Sequence, residues 1–232
     1  MLKKAVVLSS GGLDSTTAMA IAKNQGFEIY SISFDYGQKS RKCELRSAEK
    51  VASFFNVKEH KIIKIDLRTL GGSALTDTIN IPKRRSLKYI QKEIPVTYVP
   101  ARNTIFLSIA LAYAEVIGSQ DIFIGVNAID YSGYPDCRPK YIKAFQNLAN
   151  LALKMTISGK KIKIHSPLIN LKKSEIIKLG IKFGVNYKLT YTCYDPDEKG
   201  RACGECDSCI LRIKGFKEAN LKDPITYKKN VF

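Results

Sequence analysis

The apolar positions of this chain form short runs separated by longer amphipathic stretches. Ala5-Val6-Val7-Leu8 is a continuous run of strand length, and Glu28 to Phe34 and Lys61 to Ile65 read as two further strands. Between them, Thr16 to about Gln25 and Ser40 to about Phe55 read as helices, with Ser40 a candidate cap and Glu44 in the early turns of the second. The succession β-α-β-α-β predicts a parallel, doubly wound sheet covered by helices on both faces. Further on, Thr104 to about Ile117 reads as a helix and Asp121 to Val126 as a fourth strand. A helix from about Pro139 to Lys154, a strand at Lys161 to His165 and a helix beginning at Lys173, with Ser174 a candidate cap, complete the pattern. Residues 67–97 are less regular. Gly71-Gly72 and Pro82 break them, and the basic run Lys83-Arg84-Arg85 reads as a lid, an RNA-touching surface or an exposed mobile insertion.

The first strand runs into Ser10-Gly11-Gly12-Leu13-Asp14-Ser15, so a glycine-rich turn lies between a strand and a helix. Backbone N–H groups and the positive helix end there can hold phosphate oxygens. Gly11 and Gly12 let the chain turn tightly, while Ser10, Ser15 and Thr16 add hydroxyls. Asp14 would repel phosphate unless a cation lies between them, which points to a Mg²⁺-assisted pyrophosphate site. No Lys follows the glycines, so this is not the loop G-x-x-x-x-G-K-[S/T], and it is not G-x-G-x-x-G either.

Arg102 and Asn103 fall where the helix beginning near Thr104 starts, and Arg102 suits a phosphate or carboxylate through its fork of donors. After the fourth strand, the stretch Asp130 to Arg138 gathers two carboxylates, tyrosines, Cys137 and an arginine. Tyrosines can stack a flat ring and carboxylates can pair with the amidine-like edge of a guanine. Equally, Asp and Ser side chains can simply fix the turns of such a loop. His165 has no metal-spaced partner in sequence and reads as structural.

Composition narrows the class. At 232 residues with 45% hydrophobic positions, the chain can hold one α/β domain and a small appendage. Neither a signal-type apolar region nor a run of membrane-spanning length is present, so a soluble cytoplasmic protein is expected. The net charge of +17 favours anionic partners, although a solvated basic surface explains it as well as RNA contact does.

Six cysteines in a cytoplasmic chain suggest metal or catalytic use before disulfides. Cys193, Cys203, Cys206 and Cys209 form C-x9-C-x2-C-x2-C. Four thiolates close a tetrahedral shell around Zn²⁺ and leave no place for water, so a structural zinc is expected. An iron–sulfur cluster, or redox and sulfur-transfer use, remains an alternative. Cys43 reads as an inert helix residue, and Cys137 lies in the polar loop, where a reactive role is open.

These stretches together resemble a known family. Ser10 to Thr17 is similar to the pyrophosphate loop of N-type ATP pyrophosphatases, and nearly the whole chain resembles the 7-cyano-7-deazaguanine synthases of the queuosine pathway. The resemblance rests on that loop, Phe34-Asp35-Tyr36-Gly37-Gln38, Tyr98 to Asn103, Tyr131 to Arg138 and Thr192-Cys193-Tyr194 with the later cysteines. It departs at Lys39-Ser40, where the family commonly has Arg-His, so no general base is assigned there.

The resemblance implies an adenine nucleotide alpha hydrolase-like domain over residues 1–185 and a C-terminal zinc-binding helical segment over 186–232. It implies ATP with Mg²⁺, structural Zn²⁺ on Cys193, Cys203, Cys206 and Cys209, and 7-carboxy-7-deazaguanine with ammonia as substrates. The carboxylate would be adenylated and aminated to the amide, then activated again and dehydrated to the nitrile. Ser9, Ser10, Gly11, Gly12, Leu13, Asp14, Ser15, Thr16 and Thr17 would bind ATP, with Asp14 on Mg²⁺. Arg102 would neutralise phosphate or carboxylate, and Asp130, Tyr131, Asp136 and Arg138 would line the deazaguanine pocket. No membrane partner is implied, while a homodimer and RNA contact stay open. The competing expectations are a pyrophosphate-loop enzyme acting on tRNA, of thiolation or lysidine synthase type, and a zinc-dependent nucleic-acid-binding module.

Overall fold

The computed structural model describes residues 2–90, 93–129 and 134–228. Five parallel strands form one sheet: β1 (Lys4–Leu8), β2 (Glu28–Asp35), β3 (Glu59–Lys64), β4 (Asp121–Phe123) and β5 (Lys163–His165), in the order β3-β2-β1-β4-β5. The helices are α1 (Leu13–Asn24), α2 (Arg41–Phe54), α3 (Leu87–Ile90), α4 (Arg102–Ile117), α5 (Pro139–Ala152), α6 (Lys154–Ile157), α7 (Lys173–Lys182) and α8 (Asp207–Glu218). None of them is long and apolar enough to cross a membrane.

Alternation along β1 divides the core. Val6 and Leu8 face a cluster with Leu107, Leu111 and Phe145 of α4 and α5. Ala5 and Val7 face the opposite cluster, with Met19 and Ile21 of α1 and Ile176 and Ile177 of α7. A strand buried on both sides needs apolar residues at every position, which is why Ala5-Val6-Val7-Leu8 does not alternate with polar ones. The chain winds outward from β1 to β3, then returns to β4 on the other flank of β1. Such a reversal leaves a crevice at the carboxyl ends of the two strands.

Several boundaries differ from the sequence reading. The fourth strand was expected through Val126 but ends at Phe123, because Gly125 lies against the first turn of α1. A Cβ there would come within 2.7 Å of the Ser15 nitrogen. Ser174 does not cap α7. The helix starts at Lys173, and Glu175 takes the Lys172 backbone N–H at 2.7 Å. Ser40 does precede α2, but its hydroxyl bonds Glu44 rather than a helix N–H. His165 is structural as expected. Its ring stacks on Phe123 at 4.2 Å, and Nε2 lies 2.6 Å from Asp121 Oδ1.

The basic run is the clearest revision. Lys83 pairs with Asp195 at 2.6 Å, Arg84 with Glu205 at 2.7 Å, and Arg85 with the buried Asp207. Backbone bridging of Lys83 to Cys206 and of the Arg84 N–H to the Glu205 carbonyl at 2.8 Å completes the contact. Lys83-Arg84-Arg85 is therefore not a free insertion. Its three ion pairs tie this stretch to the cysteine-bearing segment, while the Arg84 side chain stays 72% exposed.

Candidate active site

A cleft of about 270 Å³ opens where the crevice was expected, past the ends of β1, β2 and β4. Ser9, Ser10, Gly12, Leu13, Asp14 and Ser15 line one side. Gly12 precedes α1 in an extended conformation, and no side chain caps that helix. An uncapped helix start leaves N–H donors and the positive dipole end for an anion. The loop holds its shape through its own hydroxyls. Ser10 and Ser15 Oγ atoms are 3.0 Å apart, and Ser10 Oγ accepts the Gly12 N–H at 3.2 Å.

Gly11 is required for a different reason than ligand approach. Its φ is +70°, and a Cβ would fall 2.5 Å from Ala48 N and 2.7 Å from Glu44 O on α2. It seats the loop against that helix and does not itself line the cleft. Thr16 and Thr17 are buried behind the loop. Thr17 Oγ1 bonds the Leu13 carbonyl at 2.9 Å and the Tyr187 hydroxyl at 2.8 Å, so it braces α1.

Asp14 carries a partner that sequence reading missed. Lys173 Nζ lies 2.8 and 2.6 Å from its two carboxylate oxygens, 159 positions away in sequence. The loop lacks the lysine of a G-x-x-x-x-G-K-[S/T] loop, and α7 brings one to Asp14 from its first residue. The only hint was a lysine at a predicted helix start following a strand end.

Arg102 stands on the opposite wall. It is the first residue of α4, preceded by Ala101 in the left-handed region at φ +54°, a strained conformation for a residue with a Cβ. Its Nη1 donates to the Tyr36 hydroxyl at 3.3 Å. Burial acts to lower its pKa, but the tyrosine oxygens of Tyr36, Tyr134 and Tyr194 more than offset it, so the guanidinium stays charged. Among the described residues no carboxylate pairs with it within 4 Å, which leaves its fork available to an anion in the cleft.

The polar loop is only partly placed. Asp130 and Tyr131, expected against the substrate ring, lie outside the described residues. Asp136 is buried, and its carboxylate accepts the Asn103 backbone N–H at 3.0 Å. It does not line the cleft; it holds the start of α4, and with it Arg102. Arg138 is exposed, its Nε turned to the Pro135 carbonyl at 3.1 Å. Cys137 does line the cleft, but burial, followed by the Asp136 charge, pushes its thiol up to about 12. A thiol so raised is protonated near neutrality and is a poor nucleophile.

Cys193, Cys203, Cys206 and Cys209 converge. All four are buried, and their sulfurs lie within 4.8 Å of one another, with Cys203 and Cys209 3.9 Å apart. Tetrahedral Zn–S bonds of about 2.3 Å put sulfurs about 3.8 Å apart, so the four thiols fit such an ion. Backbone N–H groups of Cys203 and Asp195 approach Cys193 Sγ at 3.1 and 3.3 Å, and that of Cys206 approaches Cys203 Sγ at 3.3 Å. Such donors favour thiolates. Cys43 packs beside the cluster without joining it.

The cysteine segment reaches the cleft through Tyr191 and Thr192, and through Arg212 of α8. Arg212 is 1% exposed. Its Nε and Nη2 donate to Asp223 at 2.7 and 2.9 Å, and its Nη1 donates to Thr190 Oγ1 at 2.8 Å. Sequence reading passed over it, since nothing local separates a buried Arg from a surface one.

An uncapped helix start, facing a charged arginine across the switch point of a parallel sheet, makes this an α/β protein with an anion-binding cleft. The chain belongs to the family described as Queuosine biosynthesis protein QueC, which it matches over residues 4–220. A protein named 7-cyano-7-deazaguanine synthase from Desulfatibacillum aliphaticivorans is 60% identical over 226 residues, covering 97% of each chain. One of the same name from Coxiella burnetii is 59% identical over 227 residues, covering 97% of this chain and 98% of its own. Among solved structures, a predicted subunit of a tRNA methyltransferase from Methanocaldococcus jannaschii superposes with a TM-score of 0.50 at 16% identity, over 99% of this chain and 94% of that one. That likeness is one of fold alone.

Proposed function

We propose that this chain converts 7-carboxy-7-deazaguanine, ammonia and ATP to 7-cyano-7-deazaguanine through an adenylated carboxylate and an amide. The supporting observation is a continuous cleft that runs from the uncapped start of α1 to Arg102. Carboxylate and amide oxygens leave poorly, and joining each to AMP makes it a leaving group. The protein's share is then positioning and charge stabilisation. The N–H groups at the start of α1 and the Ser10 and Ser15 hydroxyls receive the β and γ phosphates. Lys173, released from Asp14 as phosphate arrives, neutralises their charge. Arg102 receives the substrate carboxylate or the α phosphate, and Tyr36 and Tyr134 wall the space beside it.

Mg²⁺ takes oxygen ligands and commonly uses one or two protein carboxylates together with phosphates and water. Asp14 provides one such carboxylate on the loop itself, so the donor set fits, and the ion would supply further phosphate neutralisation. Asp14→Asn is expected to lower turnover by about a hundredfold or more while leaving the melting temperature little changed. Turnover equal to the unaltered enzyme would remove the metal role.

Zn²⁺ is assigned to the four-cysteine shell as a structural ion, since four sulfurs leave no open position for chemistry. Metal analysis of purified protein should find about one zinc per chain. Cys206→Ser should lose the zinc and loosen the segment that carries Tyr191 and Thr192. Iron with acid-labile sulfide would instead establish a cluster.

Turnover tests the whole reading. Zinc-loaded protein given Mg-ATP, ammonium and 7-carboxy-7-deazaguanine should yield nitrile and AMP by mass spectrometry. AMP with no nitrile would turn the reading towards another acceptor of the adenylate.

A further inference from the structure

Two carboxylates line the cleft among the described residues, Asp14 and Glu44. Asp14 is neutralised by Lys173. No Lys, Arg or His among the described residues pairs with Glu44, although both its oxygens are held. Ser40 Oγ donates to Oε1 at 2.5 Å and Gln38 Nε2 donates to Oε2 at 3.0 Å. Gln38 is itself fixed, accepting the Tyr36 N–H at 3.0 Å and donating to the Phe34 carbonyl at 3.1 Å. The chain of contacts continues from Tyr36 to Arg102 at 3.3 Å, so it spans the cleft. Glu44 also belongs to the stretch of α2 on which Gly11 of the phosphate loop rests.

An anion so placed conflicts with the two large substrates of the proposed reaction. ATP and a carboxylate are both negative, and a like charge in the same cleft weakens both. Helix capping does not account for it, since no α2 backbone N–H bonds the Glu44 carboxylate. The group is pre-oriented by two neutral donors, which fix a carboxylate without cancelling its charge. That arrangement suits a small cation. The reaction consumes ammonia, which near neutral pH is present almost wholly as ammonium.

We propose that Glu44, oriented by Ser40 and Gln38, binds the ammonium ion beside the adenylated carboxylate and takes one of its protons, so that neutral ammonia attacks the acyl carbon and AMP leaves with the electron pair of the broken C–O bond. The proposal rests on the functional reading above. It also gives Ser40 a role in this chain, as the donor that aims Glu44.

The test compares unaltered protein with Glu44→Gln and Ser40→Ala, all zinc-loaded. Nitrile formation is titrated with ammonium at saturating Mg-ATP and 7-carboxy-7-deazaguanine. The adenylation half-reaction is followed separately by pyrophosphate exchange without ammonium. Glu44→Gln should raise the apparent KM for ammonium about tenfold or more, while exchange is retained and the KM for ATP stays the same or falls, since a like charge has gone. Ser40→Ala should shift the ammonium KM in the same direction by less. An unchanged ammonium KM in Glu44→Gln overturns the site, even though the functional reading survives. Loss of exchange, or a raised Mg²⁺ requirement, in Glu44→Gln also overturns it, by placing the carboxylate in the adenylation step. Unaltered protein that exchanges pyrophosphate but makes no nitrile overturns the functional reading and the ammonium site with it.

Discussion

Lys173→Met lowers kcat/KM for ATP by about a hundredfold to a thousandfold and leaves the fold intact. The expectation follows from where the charge stands. Lys173 is the first residue of α7, and its ammonium lies within 2.8 Å of both Asp14 oxygens on the phosphate loop. With the cation gone, the phosphates lose the charge that Lys173 would bring to them, and only Mg²⁺ is left to offset Asp14. Both groups are partly exposed, at 14% and 27%, so solvent screens the pair and its contribution to folding is small.

The lysine stem runs over Gly215 of α8, where a Cβ would come 2.4 Å from Lys173 Cγ. Gly215→Ala should therefore reproduce part of the loss by displacing the side chain without removing its charge. Steady-state kinetics in ATP, together with melting curves, check both variants. Equal activity of Lys173→Met and unaltered protein would leave Lys173 no part in phosphate binding.

Arg212→Met destabilises the protein by about 3–5 kcal/mol, the usual consequence of leaving a buried charge without its partner. Asp223 is buried with Arg212, and the same arginine ties down Thr190 and, at 3.2 Å, the Tyr187 carbonyl. Tyr227 adds a hydrogen bond to Asp223 at 2.7 Å. Removing the guanidinium strands this whole set. Replacing both charges together, as Arg212→Met with Asp223→Leu, should cost less than Arg212→Met alone, because no orphaned carboxylate remains. Urea unfolding of the three proteins decides it. A midpoint unchanged in the single variant would mean that water compensates the ion pair. Arg212 also lines the cleft, so the destabilised variant should bind ATP less well.

Much of the fold could be read along the chain. The apolar run Ala5 to Leu8, the helix-length intervals after it and the strand at Glu28 gave the parallel sheet, because a strand buried on both faces leaves an uninterrupted apolar signature. The loop Ser9 to Ser15 and the four-cysteine spacing were legible for a similar reason, since the residues that act together there are close in sequence. The helix expected from Thr104 starts two residues earlier, at Arg102.

Contacts between distant residues were not legible. Lys173 on Asp14 and Arg212 on Asp223 look in sequence like ordinary surface charges. Charge and spacing alone could not tell the solvated basic surface from Lys83, Arg84 and Arg85, which are engaged by three carboxylates of the C-terminal segment. The bond from the Asn103 backbone N–H to the Asp136 carboxylate, across 33 positions, had no local signal either.

The sequence by itself determined most of the strand and helix succession, the glycine-rich turn before α1 and the four-cysteine spacing, because each is local and follows from backbone geometry and side-chain period. Only the tertiary structure decided which charges meet. An ion pair's place in the cleft is set by how α7, α8 and the 83–85 stretch pack on the sheet, and packing brings together residues that no local pattern connects.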